Sequence, residues 1–212
     1  MLQEDDIKKY FTRRDGQFVF ARWGRPIAPV VFGIEDQSKS ILKSAIDAVA
    51  RLAGHEMSEI DPELGSNLMF FFFRNWKELR EIPNLELLVP NLDPLTRKLE
   101  AKEANQYRLF RFDEAGGIKA CFVFLRMDEN LSAVSAETLC LSQIVQSILL
   151  WSDQAFQSQS PLAVIEGAQT ILQPEIAELI RASYAATLPV HSNDPSFSLR
   201  LFARLQSQTR VS

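Results

Sequence analysis

The sequence predicts an α+β fold: a mixed sheet of about five strands, two long helices packed on it and a helical C-terminal extension. Three observations carry this. Strand-like and helix-like periodicities alternate as far as about Trp151. Leu68–Phe73 is an unbroken apolar run of strand length, the pattern of a strand buried on both faces. Beyond about residue 152 the chain turns Ser/Gln-rich and then reads as helix alone. With 212 residues, 46% of them hydrophobic, the chain can bury a substantial core, so a disordered or low-complexity class is excluded.

Residues 3–14 read as an amphipathic helix, with Ile7, Tyr10 and Phe11 on one face and Lys8, Lys9, Arg13 and Arg14 mostly on the other, solvated one. Asp15-Gly16 is a turn, so 1–16 reads as an N-terminal helical arm. Phe18–Trp23 reads as a strand, Gly24-Arg25-Pro26 breaks it, and Ala28–Ile34 resumes extended structure with Pro29 at its beginning or on an edge. A helix follows, capped by Asp36 or Ser38. Its stripe is Ile41, Leu42, Ala45, Ile46, Val49, Leu52 and Ala53, and Gly54 stands at C′. His55–Gly65 is a loop that leads into the apolar strand. Residues 75–104 form a polar, Pro-punctuated insertion with one or two helices, where Asp93-Pro94 fits an N-cap and N1 pair. Gln106–Phe112 and Ile118–Met127 make a hairpin through Asp113–Gly117. Glu137 to about Trp151 is the second strong helix, and 152–170 is a connection. Pro174–Ala186 is the third helix, with Pro174 at N1, and a short helix from about Ser196 to Leu205 closes the chain. The body therefore spans 17–155, with 156–212 as a helical extension packed on the same domain.

The formal net charge is −4 and the pI about 5.3, which argues against a broad grip on nucleic acid. The start is acidic and no apolar h-region follows it. The apolar stretch Leu139–Trp151 is too short to span a bilayer and is interrupted by Ser142, Gln143, Gln146 and Ser147. A cytoplasmic protein with reduced thiols and no membrane partner is expected. Two Cys and two His rule out a four-cysteine zinc site within one chain, and their spacing fits no zinc motif. No phosphate-binding glycine motif and no nucleophile elbow is present, so no cofactor is expected.

The helix at 137–151 carries the most chemical information. It is apolar over most of its circumference, yet Ser142, Gln143, Gln146 and Ser147 form one polar stripe. Such a stripe must be satisfied by hydrogen bonds or must face a cleft, and both readings stay open. His55 and Glu59 stand at i, i+4, but the Gly54 stop and Asp61-Pro62 deny them a helical register, and His191 lies in a loop without partners. Both histidines are weak metal candidates. Arg22 and Trp23, with Arg25, Arg200, Arg204 and Arg210, are candidates for an anion or partner patch. Cys121 and Cys140 read as two small buried side chains, with a strand-to-helix disulfide as the alternative.

Three segments carry a family resemblance: Arg22-Trp23-Gly24-Arg25-Pro26-Ile27, Cys140-Leu141-Ser142-Gln143-Ile144-Val145-Gln146, and Leu172-Gln173-Pro174 followed by Ile180-Arg181-Ala182-Ser183-Tyr184. They resemble a poorly characterised bacterial zincin-like, metallopeptidase-like family whose members carry a Glu-Glu-x-x-Gln-like helix in place of the zinc motif. The similarity spans roughly 17–205. In an active zincin the helix carries His-Glu-x-x-His, with two zinc ligands one turn apart and a Glu acting on the water. Here Ser142 and Gln146 stand for the ligands and Gln143 for the Glu, so neither the ligand set nor the base is present. Ser142 and Gln143 also depart from the paired carboxylates of the family. The resemblance implies a zincin-like, catalytically inactive domain, a pseudoenzyme that binds a peptide or protein partner in a degenerate cleft, with Gln106–Phe112 as its edge strand. The rivals are a hydrolase using Glu137, Asp153 or Glu166, and a structural or assembly protein whose oligomeric state the sequence leaves open.

Overall fold

The computed structural model describes residues 2–165 and 170–209. Its elements are α1 (Glu4–Phe11), β1 (Phe20–Ala21), β2 (Pro29–Phe32), α2 (Asp36–Ala53), β3 (Leu68–Phe73), a 3-10 helix at Trp76–Glu81, α3 (Leu85–Leu88), α4 (Leu92–Ala101), β4 (Gln106–Phe112), β5 (Ile118–Arg126), α5 (Glu129–Ser132), α6 (Ala136–Ile148), β6 (Leu162–Val164), β7 (Thr170–Leu172), α7 (Pro174–Ser183), β8 (His191–Ser192) and α8 (Phe197–Thr209).

The main sheet is mixed and has the order β2-β3-β5-β4. β2, β3 and β5 run parallel, and β4 is antiparallel to β5 at the edge. The α+β class and the mixed sheet follow the sequence reading, but the sheet has four strands rather than about five. Phe18–Trp23 does not join it as a ladder strand: only its end touches β5, where Trp23 forms a single parallel bridge to Ile118. Phe20 and Ala21 pair with Ser192 and His191 of β8. The reason is burial: the Phe20 ring packs on Phe197 at 4.5 Å, so the C-terminal helix rather than the sheet covers this segment.

β3 is buried at every position because both faces are covered. Leu68, Phe70 and Phe72 join a core with Ile46 and Val49 of α2 and Ile144 and Ile148 of α6. Met69, Phe71 and Phe73 join a second core with Trp76, Leu79, Leu85, Val89, Leu92 and Leu99. β5 divides in the same way: Cys121, Val123 and Leu125 face the first core, and Ala120, Phe122 and Phe124 the second. The segment 75–104 is therefore the outer layer on one side of the sheet.

Helix ends follow local chemistry. Gly54 takes φ 64°, and the N–H groups of Gly54 and His55 donate to Arg51 O and Ala50 O at 3.0 and 2.9 Å, which ends α2 as its glycine implies. Its N-cap is Glu35 rather than Asp36 or Ser38, since the Asp36 carboxylate pairs with Lys39 inside the helix at 2.9 Å. Asn91, at φ 55°, caps α4 in place of Asp93.

The N-terminal segment and the C-terminal extension meet in the first core, where Ile7, Phe11, Leu179, Phe197 and Leu201 are all buried. The Phe11 ring stacks on Trp151 at 5.6 Å, and Ser198 Oγ donates to Glu4 Oε1 at 2.5 Å. The stretch 152–170 is more than a connection: Leu162, Ala163 and Val164 pair antiparallel with Leu172, Ile171 and Thr170. Among the described residues no helix is long and apolar enough to cross a membrane.

Candidate functional site

α6 starts on Ser135, whose Oγ accepts from the Thr138 N–H at 3.3 Å. The apolar side of the helix meets α2 and the sheet, and this leaves its polar stripe turned to the inner face of β4. Gln143 and Ser147 are buried, each 1% exposed, while Ser142 and Gln146 are half-buried. Gln143 Nε2 donates to Gln106 Oε1 at 2.9 Å, and Gln143 Oε1 accepts from Arg108 Nη2. Ser147 Oγ donates to the Gln143 carbonyl at 2.7 Å, and Gln146 Nε2 donates to Ser142 Oγ at 2.9 Å. The stripe is thus satisfied, and the buried half of it joins the helix to the edge strand.

The ladder shows which way that strand's backbone points. Arg126 N–H donates to Asn105 O at 2.8 Å, so these residues form a hydrogen-bonded pair. Such pairs alternate in an antiparallel ladder, so the register makes Tyr107/Phe124 and Leu109/Phe122 hydrogen-bonded pairs as well. The N–H and C=O groups of Gln106, Arg108 and Phe110 therefore point away from the sheet, along a free edge.

Beside this edge lies a cavity of about 400 Å3, lined by Arg108, Phe110, Phe112, Gln146, Trp151 and Phe156 among others, with Arg13 and Asp153 in its wall. Arg108 has no carboxylate partner among the described residues, and its Nε is buried without any partner. Burial lowers the pKa of its guanidinium to about 10. Asp153 Oδ1 accepts from the Arg14 N–H at 2.9 Å. Sequence reasoning missed Arg108 and Gln106 as site residues. The available signal was a cation alternating with Phe110 and Phe112 on the face of a strand that packs against a helix.

Arg22 and Trp23 do not line this cavity. They sit at the C-terminal end of α6, where no glycine closes the helix and aromatic donors take the orphan carbonyls. Trp151 Nε1 donates to Val145 O at 2.8 Å, Trp23 Nε1 to Ser147 O at 3.0 Å, and Tyr184 OH to Ile148 O at 2.7 Å. Tyr184 OH also accepts from the Trp23 N–H at 3.3 Å, the Arg22 guanidinium lies 5.4 Å from the Tyr184 ring centroid, and Arg22 Nη2 donates to Leu188 O at 3.0 Å. Burial pushes the Tyr184 phenol up from its ordinary value. Trp23 is thus a helix-end tie, while Arg22 braces Tyr184 and the Leu188 carbonyl, with its Nε buried without a partner. Tyr184→Phe leaves the Ile148 carbonyl and the Trp23 N–H without this partner, and a loss of about 1–3 kcal/mol in urea unfolding is expected.

The two histidines have separate partners. His55 follows the end of α2, its Nε2 is 2.8 Å from Arg25 O, and burial lowers its pKa below the ordinary 6.5. His191 belongs to β8, with Nε2 3.1 Å from Asn193 Oδ1. Neither belongs to a group of three or more His, Cys, Asp or Glu side chains able to hold a metal ion, since no such group occurs among the described residues.

Glu137 lies in the first turn of α6 and Asp153 beyond its other end. Asp153 lines the cavity beside Gln146, and no hydrogen bond or ion pair joins it to Glu137 among the described residues. Glu166 lies outside the described residues. Cys121 and Cys140 are free and buried, and burial pushes their thiols up to about 12 and about 11. A thiol-specific reagent at pH 8 is expected to label neither in the folded protein and both after unfolding in guanidinium.

Compared with known proteins, the chain matches no family model, no curated protein and no solved structure.

Proposed function

We propose that the protein is a catalytically inactive, zincin-like binding domain that takes an extended segment of a peptide or protein partner along the free edge of β4. The order of elements supports the resemblance: a strand (β2), a helix (α2), a strand (β3), a hairpin with an antiparallel edge (β4 and β5), and then the helix with the polar stripe (α6). The residues support the absence of hydrolysis. Gln143, at the position of the general base, is a neutral amide, and both ends of that amide are engaged by Gln106 and Arg108. The observation that carries the reading is the row of outward N–H and C=O groups at Gln106, Arg108 and Phe110. Strand addition needs such a row, and α6 flanks it with polar side chains.

The test uses a pool of capped extended octapeptides and two variants. Arg108→Pro removes an outward N–H and leaves the ladder intact, while Arg108→Ala controls for the lost side chain. The reading expects wild type to retain peptides. Arg108→Pro should lose at least tenfold more affinity than Arg108→Ala, with cooperative melting preserved. Equal binding by the two variants contradicts strand addition.

A further inference from the structure

The geometry points to the cavity beside Arg108 as an acid-recognition pocket, which receives an Asp or Glu side chain of the strand added to β4 and an apolar side chain two positions away. This rests on the strand-addition reading and goes beyond it by stating the chemistry of the partner.

Arg108 carries an unbalanced charge. Arg108 stands on the inner face of β4, with Nη2 on the neutral amide of Gln143 and Nε buried without a partner. A cation taken out of water costs free energy that a neutral acceptor repays only in part, and truncated or unmatched buried charges are strongly unfavourable. The lowered guanidinium pKa is the signature of that uncompensated desolvation. Arg13 adds a second cation to the same wall and has no carboxylate within salt-bridge distance among the described residues. Asp153 is the acid in the lining, and it forms no ion pair with either arginine. Two guanidinium groups, Arg108 and Arg13, line this partly apolar cavity, and such groups match a carboxylate, which accepts from them in charge-assisted bonds.

The strand period supplies the rest of the motif. Arg108, Phe110 and Phe112 alternate on one face of β4 and all line the cavity. A strand laid on the free edge also presents every second side chain to that face. A carboxylate opposite Arg108 therefore comes with an aromatic or aliphatic side chain two residues away, against Phe110. The partner is an acidic, extended segment of the pattern Asp/Glu-x-apolar, read in either chain direction.

Two probes separate this inference from the reading beneath it. The first is 3-phenylpropionate against 3-phenylpropionamide, followed at the Arg108 Nε–H resonance. The pocket predicts a saturable shift with the acid, none with the amide, and loss of binding in Arg108→Gln. That variant removes the buried charge and keeps a polar amide at the position, and cooperative thermal melting checks that it folds. The second probe is a pair of capped Thr/Val octapeptides with either Glu or Gln two residues from a Leu. The Glu peptide is expected to bind at least tenfold tighter, and Arg108→Gln to abolish the difference. Equal binding of both peptides, with Arg108→Pro still destructive, overturns acid recognition and leaves strand addition standing. Phenylpropionate binding with neither peptide bound overturns the recognition of a strand-borne acid and strand addition together. Silence in both arms overturns the pocket as well.

Discussion

Gly33→Ala is expected to lose about 3–5 kcal/mol of unfolding free energy by urea titration, or to fail to fold. Gly33 joins β2 to α2 at φ +83°, and a Cβ there would lie 1.9 Å from the Phe72 carbonyl oxygen. Positive φ alone costs a non-glycine residue about 1–2 kcal/mol. The clash adds to that, because the oxygen belongs to the backbone of the central strand β3, which cannot give way without disturbing two cores. Gly54→Ala is the control. Gly54 also has positive φ, 64°, but nothing lies within 4 Å of the added carbon, so only the conformational cost of about 1–2 kcal/mol is expected. Equal losses in the two variants would show that the approach of Gly33 to β3 is looser than described.

The second large effect belongs to Asn67, which is fully buried just before β3. Its Oδ1 accepts from the Ala28 N–H at 2.8 Å, and its Nδ2 donates to Pro26 O at 2.9 Å and to Asp61 Oδ2 at 3.0 Å. One side chain thus fixes the entry to β2, the loop at 61–65 and the start of β3. Asn67→Ala strands the Ala28 donor and weakens the support of a carboxylate that is 3% exposed, and a loss of about 3–5 kcal/mol is expected. Burial alone raises the Asp61 pKa. Hydrogen bonds from the Leu64 and Glu63 N–H groups, Asn67 and Arg25 outweigh it and hold the group below its ordinary 3.8. A carboxylate with a lowered folded pKa contributes stability that is present above its unfolded value and lost as pH falls through the folded one. The variant should therefore lose less stability than wild type on acidification below pH 3.8. A variant whose stability matches wild type at neutral pH would remove Asn67 from this role.

Much of the fold was legible because its signals are local. The apolar run of β3 announced two covered faces, Gly54 announced the end of α2, and the hairpin from Gln106 to Met127 announced an antiparallel pair. Phe18–Trp23 misled because alternation identifies an extended segment without naming its partner. Its partner lies near the far end of the chain, at His191 and Ser192. The β6/β7 hairpin was hidden in a Ser/Gln-rich stretch because each of its strands is only three residues long. At the candidate site the polar stripe was readable from helical spacing. Its function as a link to the edge strand was not, since Gln143 and Arg108 are 35 residues apart and only the sheet order brings them together. Trp23 read as a patch residue because nothing local shows that its indole closes the end of α6.

On the proposed reading, β4 offers a free edge on which an extended partner adds a strand. Amide hydrogen exchange resolved by residue tests it most directly, in the free protein and with the tightest-binding octapeptide of the pool. The amides of Gln106, Arg108 and Phe110 are expected to exchange fast when free and to become protected with peptide, while Tyr107 and Leu109 stay slow throughout. Protection of Gln106, Arg108 and Phe110 already in the free protein, or no gain of protection on binding, would contradict it.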